Sequence, residues 1–139
     1  MKKLILHGRK AVGGCAEGEA LVTKHTISGW GGINPLEGVI VERRHELRNQ
    51  SFKDRILVFP SGKGSSGWSQ LFHVTRLAST SPKAMIIKEI NSLTGLGAVV
   101  MNVPTMTDLD RDPAEVISNG DWVKVDADRG IVEVTLKEE

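Results

Sequence analysis

The chain has 139 residues, of which 40% are hydrophobic and 25% charged, and its formal net charge is +1. This size and composition predict one globular domain over residues 1–139. The near-neutral charge argues against nucleic-acid or anionic-membrane binding, because both need clustered excess Lys and Arg. No apolar run approaches a membrane span, and no cleavage site follows the short apolar start, so we expect a cytoplasmic protein.

Metal-binding residues are sparse. Cys15 is the one cysteine, and alone it can form neither an internal disulfide nor a set of ligands for zinc or an iron–sulfur cluster. The four histidines are scattered without metal-ligand spacing. We therefore expect no metal bound by this chain itself, and a reducing compartment.

Short apolar runs separated by glycine predict a β-rich fold. Strands are predicted at Leu4–His7, Ala20–Lys24 and Gly38–Arg43, from their β-branched content and the turn residues at their ends. The continuous apolar run Arg55–Pro60 predicts a strand that is buried on both faces and ended by its proline.

Helical periodicity begins after Ser65. One face of the predicted helix over residues 66–79 carries Trp68, Leu71, Phe72, Thr75 and Ala78, which have the spacing of an amphipathic helix. Ser65 or Ser66 is predicted to be its N-cap.

The second half alternates short elements. Strand, helix and strand in the middle of the chain imply a parallel pair with a crossover, whereas the flanking strands should be antiparallel. In order, we predict a strand at Lys83–Lys88, a short helix or turn at Ile90–Leu96 ended by Gly95 and Gly97, a strand at Ala98–Val103, a short helix at Asp112–Ser118 that starts at Pro113, and a hairpin of Trp122–Val125 with Ile131–Val134.

The glycine-rich loop Pro60–Trp68 is the best candidate for a site. A buried strand ends, the loop turns, and a helix begins, so backbone N–H groups point outward as they do at anion sites. Lys63 would add a positive charge. The loop fits neither the phosphate-binding pattern nor the nucleophile elbow. From spacing alone, an ordinary turn with a serine cap remains an open alternative.

A second loop, Ser28–Gly38, contains four glycines and has the length of a functional loop. The alternative is a plain surface loop, and an exposed Trp30 would favour a contact surface.

The mixed-charge run Glu42–Arg48 predicts a solvated face. The carboxylates of Asp108–Asp112 suit helix capping better than a cation site.

Several segments resemble the swivelling domains of aconitases and isopropylmalate isomerases. Gly64-Ser65-Ser66 resembles their Gly-Ser-Ser-Arg loop, and Gly120–Asp126 is similar to their closing Gly-Asp-x-Val-x-Val-Asp hairpin. The small subunit of the aconitase X family is more similar still, with its Glu-Gly-Glu-Ala-Leu-Val start, its Gly-Gly-x-x-Pro loop and its Leu-Val-Phe-Pro-x-Gly-Lys-Gly-Ser segment. Here these segments are Glu17–Val22, Gly31–Pro35 and Leu57–Ser65. The fold that the resemblance implies is α/β and β-rich, an aconitase-like swivelling β/β/α domain with a mixed or barrel-like sheet and two to three helices.

The resemblance also implies a mechanism. Ser65 would be the catalytic base of a hydro-lyase, taking a proton from the carbon next to a carboxylate, with the iron–sulfur cluster on a large partner subunit in a heterodimer. Where aconitases have arginine after the serines, this chain has Gly67, so Lys63, the helix N-terminus or the partner would hold the substrate. The expected substrate-binding residues are Lys63, Gly64, Ser66, Gly67, Gly31, Gly32 and Asn34.

Two substrates compete within that family. A phosphorylated substrate such as phosphomevalonate should require cations, and residues 27–41 contain no Lys or Arg. We therefore expect cis-3-hydroxy-L-proline, with phosphomevalonate as the alternative. Outside the family, a phosphohistidine-type swivelling domain would need a histidine in the loop, which has none. A non-catalytic interaction module, in which Ser65 only caps a helix, remains the other alternative.

Overall fold

The structure is a computed structural model that describes residues 2–137. Within these residues it has twelve strands and three helices. They are β1 (Lys3–His7), β2 (Arg9–Val12), β3 (Cys15–Val22), β4 (Ile27–Ser28), β5 (Ile33–Asn34), β6 (Val39–Ile40), β7 (Ile56–Phe59), β8 (Gly62–Lys63), α1 (Trp68–Leu77), β9 (Ala84–Ile87), α2 (Ser92–Met101), β10 (Thr105–Thr107), α3 (Pro113–Val116), β11 (Trp122–Asp126) and β12 (Ile131–Thr135).

Eight strands form one mixed sheet in the order β1-β12-β11-β3-β7-β9-β10-β2. The central neighbours β3, β7, β9 and β10 are parallel, and the outer pairs are antiparallel. Both edge strands come from the single segment 3–12, because β1 pairs with β12 and β2 pairs with β10. The two edges therefore meet around Gly8, which gives the sheet a barrel-like form. The predicted fold class is confirmed.

The central strands separate two hydrophobic cores. Successive strand residues point to opposite faces, so Ile56 and Val58 of β7 pack inside the curved sheet, with Ile117 after α3 also in that core. Leu57 and Phe59 point the other way, into the core beneath α1 and α2. All four β7 residues are buried, which confirms the prediction of a strand buried on both faces.

The predicted crossover is confirmed. The strands on either side of α1, β7 and β9, are parallel neighbours, and α2 makes a second crossover from β9 to β10. The closing hairpin is also confirmed, with β11 and β12 paired antiparallel. Asp112 caps α3 by accepting the N–H of Ala114 at 3.1 Å, and Pro113 is its first residue.

The strand predicted at Ala98–Val103 is wrong, because α2 runs through Gly95 and Gly97 to Met101. Asn91 is the N-cap of this helix: its side chain accepts the N–H of Thr94, while the Thr94 hydroxyl accepts the N–H of Asn91. Asn102 ends the helix with a φ of 55°. Local capping and packing against α1 override the β-branched content that suggested a strand.

Two further predictions need correction. The N-cap of α1 is Gly67, with no side-chain hydrogen bond to the first turn, instead of Ser65 or Ser66. The strand predicted at Gly38–Arg43 shrinks to β6 (Val39–Ile40), because the next two N–H groups turn back to the carbonyl of Gly32 at 2.9 and 3.2 Å.

Candidate functional site

Two short strands bring the glycine-rich loops together. β4 and β8 pair in parallel, with Ile27 opposite Gly62 and Ser28 opposite Lys63. The loops Ser28–Gly38 and Pro60–Trp68 therefore lie side by side at the carboxyl end of β7. The sequence predicts each loop, but it does not predict their contact.

Trp68 anchors this arrangement. Its fully buried indole donates to the carbonyl oxygen of Ile27 at 2.8 Å and stacks on Phe72, with ring centroids 4.0 Å apart. A Cβ at Gly62 would lie 2.8 Å from the indole nitrogen, and one at Gly97 would lie 2.3 Å from the ring. Both positions require glycine because no side chain fits there.

Asn91 fixes the base of the Ser65 loop from the other side. Its amide nitrogen donates to the carbonyl oxygen of Gly62 at 3.0 Å, while its side-chain oxygen caps α2. One side chain therefore connects the start of α2 to the loop that carries Ser65.

The tip of the loop is open. Gly64 has a φ of +103°, and within residues 2–137 no atom beyond its two chain neighbours lies within 4 Å of where its Cβ would be. Ser65 and Ser66 are exposed. The hydroxyl of Ser65 accepts the N–H of Gly67 at 3.3 Å. Within residues 2–137, the N–H groups of Gly64, Ser65 and Ser66 donate to no protein acceptor, so the tip presents a hydroxyl and free donors that suit an anion.

Trp30 occupies the space beside Gly67. Its side chain is 67% exposed, and a Cβ at Gly67 would lie 2.2 Å from its indole nitrogen. The position that carries arginine in aconitases has no room here for a side chain unless Trp30 moves. Trp30 thus fills the space that the first atoms of an arginine side chain would need at this position.

Lys63 is not a free cation. Its ammonium group donates to Oε2 of Glu42 at 2.8 Å, and Oε1 of Glu42 accepts the N–H of Ser28 at 3.1 Å. Burial pushes the pKa of Glu42 upward, but the hydrogen bonds from Lys63 and Ser28 and the charge of Lys63 outweigh it, so the pKa lies below its ordinary value. The sequence gives no signal for Glu42 beyond a mixed-charge run.

The predicted binding residues of the other loop shape its turn. Gly31 is exposed with a φ of +72°, and a Cβ at Gly32 would lie 1.9 Å from the carbonyl oxygen of Ser28. Asn34 accepts the N–H of Leu36 at 3.1 Å through its side chain. These contacts are structural, and the binding roles of the three residues stay predictions.

The run Glu42–Arg48 is not simply a solvated face, because His45 and Leu47 are buried. Burial lowers the pKa of His45, partly offset by the charge of Glu42. Its Nδ1 accepts the N–H of Leu47 at 3.0 Å. Its Nε2 has no hydrogen-bond partner within residues 2–137. Glu46 accepts from the hydroxyl of Thr23, which lowers its pKa.

A concavity of about 160 Å³ lies at the carboxyl ends of the parallel strands, but on the side of α3. Lys24, Pro60, Lys88 and Glu115 are among its lining residues, and Ser65 is not. Ser65 is exposed on the surface outside this concavity, where water has free access.

The described part of the chain contains no group of three or more His, Cys, Asp and Glu side chains placed to hold a metal ion. Cys15, on β3, is exposed. Across residues 2–137, no helix has both the length and the apolar character needed to cross a membrane.

Comparison with known proteins agrees with this architecture. The family described as Aconitase X swivel domain matches residues 5–134. The phosphomevalonate dehydratase small subunit of Methanosarcina mazei is 36% identical over 91% of this chain and 88% of its own length. The namesake subunit from Thermococcus kodakarensis is 37% identical over 93% of this chain and 95% of its own. A crystal structure of Thermococcus kodakaraensis aconitase X in its holo form superposes with a TM-score of 0.90 at 36% identity, covering 96% of this chain and 99% of that chain.

The mixed sheet, the paired crossover helices and the glycine-rich loops at one sheet end define a swivelling-type α/β domain. The chain belongs to the aconitase X swivel-domain family. The resemblance found in the sequence is therefore confirmed at the level of the family and of the fold.

Proposed function

We propose that this chain is the small subunit of a phosphomevalonate dehydratase. The observation that carries the proposal is the name shared by its relatives, which match it over more than nine-tenths of its length at 36–37% identity. These relatives favour phosphomevalonate as the substrate, whereas the composition of the loops favours cis-3-hydroxy-L-proline.

The loop that carries Ser65 also supports a phosphorylated substrate, although it has few cationic side chains. Residues 27–41 contain no Lys or Arg, and the loop Pro60–Trp68 contains Lys63 alone. The tip of the Ser65 loop instead presents backbone N–H groups of Gly64, Ser65 and Ser66, which have no acceptor among the described residues 2–137. Such donors bind carboxylate or phosphate oxygens without any cationic side chain, and residue composition does not register them.

Ser65 is the proposed general base. A serine hydroxyl accepts a carbon-bound proton only as its alkoxide, so its negative charge must be stabilised by nearby donors. The N–H of Gly67 already donates to this hydroxyl at 3.3 Å, and the free N–H groups of the tip lie on neighbouring residues. The proton would pass from the substrate carbon next to its carboxylate to Oγ of Ser65, and the electron pair left behind would form the double bond as hydroxide departs.

An iron–sulfur cluster on a large partner subunit would supply a Lewis acid for the departing hydroxide. The single cysteine of this chain and its described residues offer no set of ligands for such a cluster. Its share of the reaction is then confined to the proton at the substrate carbon and to holding the substrate.

Exposure of Ser65 supports a site shared with that partner. A base on an open surface is solvated by water, which weakens every electrostatic contact that it makes. A second subunit covering the tip would exclude water and complete the site.

The role of Ser65 is tested with Ser65→Ala in the reconstituted two-subunit complex. Loss of the base should lower kcat about 100-fold to 10,000-fold. Ser51→Ala is the matched control, because the Ser51 hydroxyl also accepts the N–H two residues on, from Lys53 at 3.2 Å. Each variant should lose at most about 1 kcal/mol of unfolding free energy, and only Ser65→Ala should lose turnover. Comparable turnover in the two folded complexes would assign Ser65 a turn-forming role only.

The substrate is tested by supplying the same complex with phosphomevalonate and with cis-3-hydroxy-L-proline separately. We expect turnover of phosphomevalonate. Dehydration of cis-3-hydroxy-L-proline alone would overturn the proposal and restore the substrate that the loop composition favours.

A further inference from the structure

Glu42 connects three segments of the candidate site. Its N–H donates to the carbonyl oxygen of Gly32 at 3.2 Å. Its two carboxylate oxygens take different partners, the N–H of Ser28 at 3.1 Å and the ammonium group of Lys63 at 2.8 Å. One residue therefore binds the last residue of β4 and the last residue of β8, the short strand pair that joins the two loops.

The carboxylate is partly shielded from water. The Glu42 side chain is 20% exposed, against 49% for Lys63. Its lowered pKa keeps it ionised at neutral pH. A shielded ion pair with a second hydrogen bond holds its geometry better than a fully exposed pair, which contributes little.

The Ser65 loop depends on such contacts at its base. Its tip has no packing of its own, since the space around Gly64 is open. β8 is only two residues long, and Lys63 at its end is separated from Ser65 by Gly64 alone. Ser65 is held on the helix side by the N–H of Trp68, which donates to its carbonyl oxygen at 3.1 Å. On the strand side, its position is set by the contacts of Asn91 and Trp68 with Gly62 and of Glu42 with Lys63.

We propose that Glu42 is a positioning residue for the Ser65 loop, locking β4 against β8 through Ser28 and Lys63. This inference rests on the proposed role of Ser65, and it assigns Glu42 no contact with the substrate. In this structure, the ammonium group of Lys63 therefore binds Glu42 and stabilises the loop, and it would have to leave Glu42 to bind an anion.

Kinetics of the two-subunit complex test the proposal. Misplacing a catalytic group by about 1 Å can cost about 100-fold in rate, so Glu42→Ala should lower kcat about tenfold or more. KM should change less, because the base acts in the transition state. Glu42→Gln keeps an acceptor for Ser28 but loses the charge that holds Lys63, so its kcat should lie between those of Glu42→Ala and the unmodified complex.

Glu37→Ala is the matched control. Glu37 is an exposed glutamate of the neighbouring loop, and within residues 2–137 it makes no hydrogen bond or ion pair through its side chain. Its replacement should leave kcat within about threefold of the unmodified complex, in the range of ordinary surface substitutions. A kcat for Glu42→Ala equal to that of Glu37→Ala, in complexes that assemble equally, would overturn the proposal.

A second measurement separates this inference from the proposed function. Hydrogen–deuterium exchange on the full-length chain should show faster exchange in residues 27–33 and 62–67 for Glu42→Ala, and unchanged exchange there for Glu37→Ala. Failure of the unmodified complex to dehydrate phosphomevalonate would count against the proposed substrate only. Unchanged exchange in both segments for Glu42→Ala would overturn the role of Glu42, whatever the substrate.

Discussion

At the scale of single residues, glycines decide how closely the parts of the site approach one another. Gly62 and Gly97 leave room for the indole of Trp68, and Gly67 leaves room for that of Trp30. Tryptophan has a large rigid side chain with one N–H donor. Each indole therefore fills the space that a side chain at its partner glycine would occupy. The pairs of Gly97 with Trp68 and of Gly67 with Trp30 are invisible in the sequence, because their partners are far apart along the chain.

Gly67→Ala should therefore disturb Trp30 without straining the backbone. Gly67 has a φ of −65° and a ψ of −8°, which any residue adopts, whereas its Cβ would lie 2.2 Å from the Trp30 indole nitrogen. We expect unfolding free energy within about 0.5 kcal/mol of the unmodified chain, an altered Trp30 fluorescence and about a tenfold loss of kcat.

A double-mutant cycle provides the control for Gly67→Ala. In a Trp30→Ala background the indole is gone, so adding the methyl group at position 67 should have little further effect on kcat. An equal loss in both backgrounds would show that the methyl group acts by another route than Trp30.

At the scale of secondary-structure elements, β7, β9, α1 and the hairpin of β11 with β12 follow from local patterns. Apolar runs of strand length, 3.6-residue periodicity and turn residues all agree with the tertiary structure there. Helix α2 shows the limit of this reasoning, since its two glycines predict a turn and its two adjacent valines predict a strand. The helix forms because Asn91 and Thr94 cap it and because Gly97 lets it lie against Trp68.

The two glycines of α2 should respond to alanine in opposite directions. A Cβ at Gly95 would meet nothing closer than Ile90 at 3.9 Å, whereas one at Gly97 would lie 2.3 Å from the Trp68 ring. Gly95→Ala should raise the unfolding free energy by about 0.5–1 kcal/mol through helix propensity.

Gly97→Ala should lower the unfolding free energy by about 1–3 kcal/mol through overpacking. Urea unfolding of both variants measures the difference, and each serves as the control for the other. Stabilisation by both substitutions would show that α2 does not pack on Trp68 as described.

At the scale of the whole molecule, the segment 3–12 supplies both edges of the main sheet and so closes it. Closure places β3, β7 and β9 side by side, and their carboxyl ends carry the Ser65 loop, the buried His45 region and the α3 concavity. Several titratable groups of this end have pKa values below their ordinary range, which couples the stability of the fold to pH.

Stability should fall as the solution is acidified. The pKa of His45 is lowered from 6.5, mainly by burial, with charges of Glu42, His25 and Glu46 around it. The unfolded chain therefore binds a proton that the folded chain resists, and stability present above pH 6.5 is lost as pH falls through the folded pKa. Below pH 4.5, Glu46 and Glu42, whose pKa values are also lowered, extend the loss.

Urea unfolding at a series of pH values between 7.5 and 4 measures this dependence. His45→Asn keeps a short acceptor for the Leu47 N–H but cannot be protonated. The unmodified chain should lose more stability than this variant between pH 7 and 5, and parallel curves would contradict the assignment to His45.

The sequence by itself determined the α/β class, the two glycine-rich loops, the position of Ser65 and the family, because these follow from local periodicity, turn chemistry and ordered motifs. Only the tertiary structure decided that the loops meet through β4 and β8, that Lys63 is held by Glu42 and that Trp30 fills the space beside Gly67. These contacts join residues from distant parts of the chain, and their energies depend on burial and geometry that no local pattern encodes.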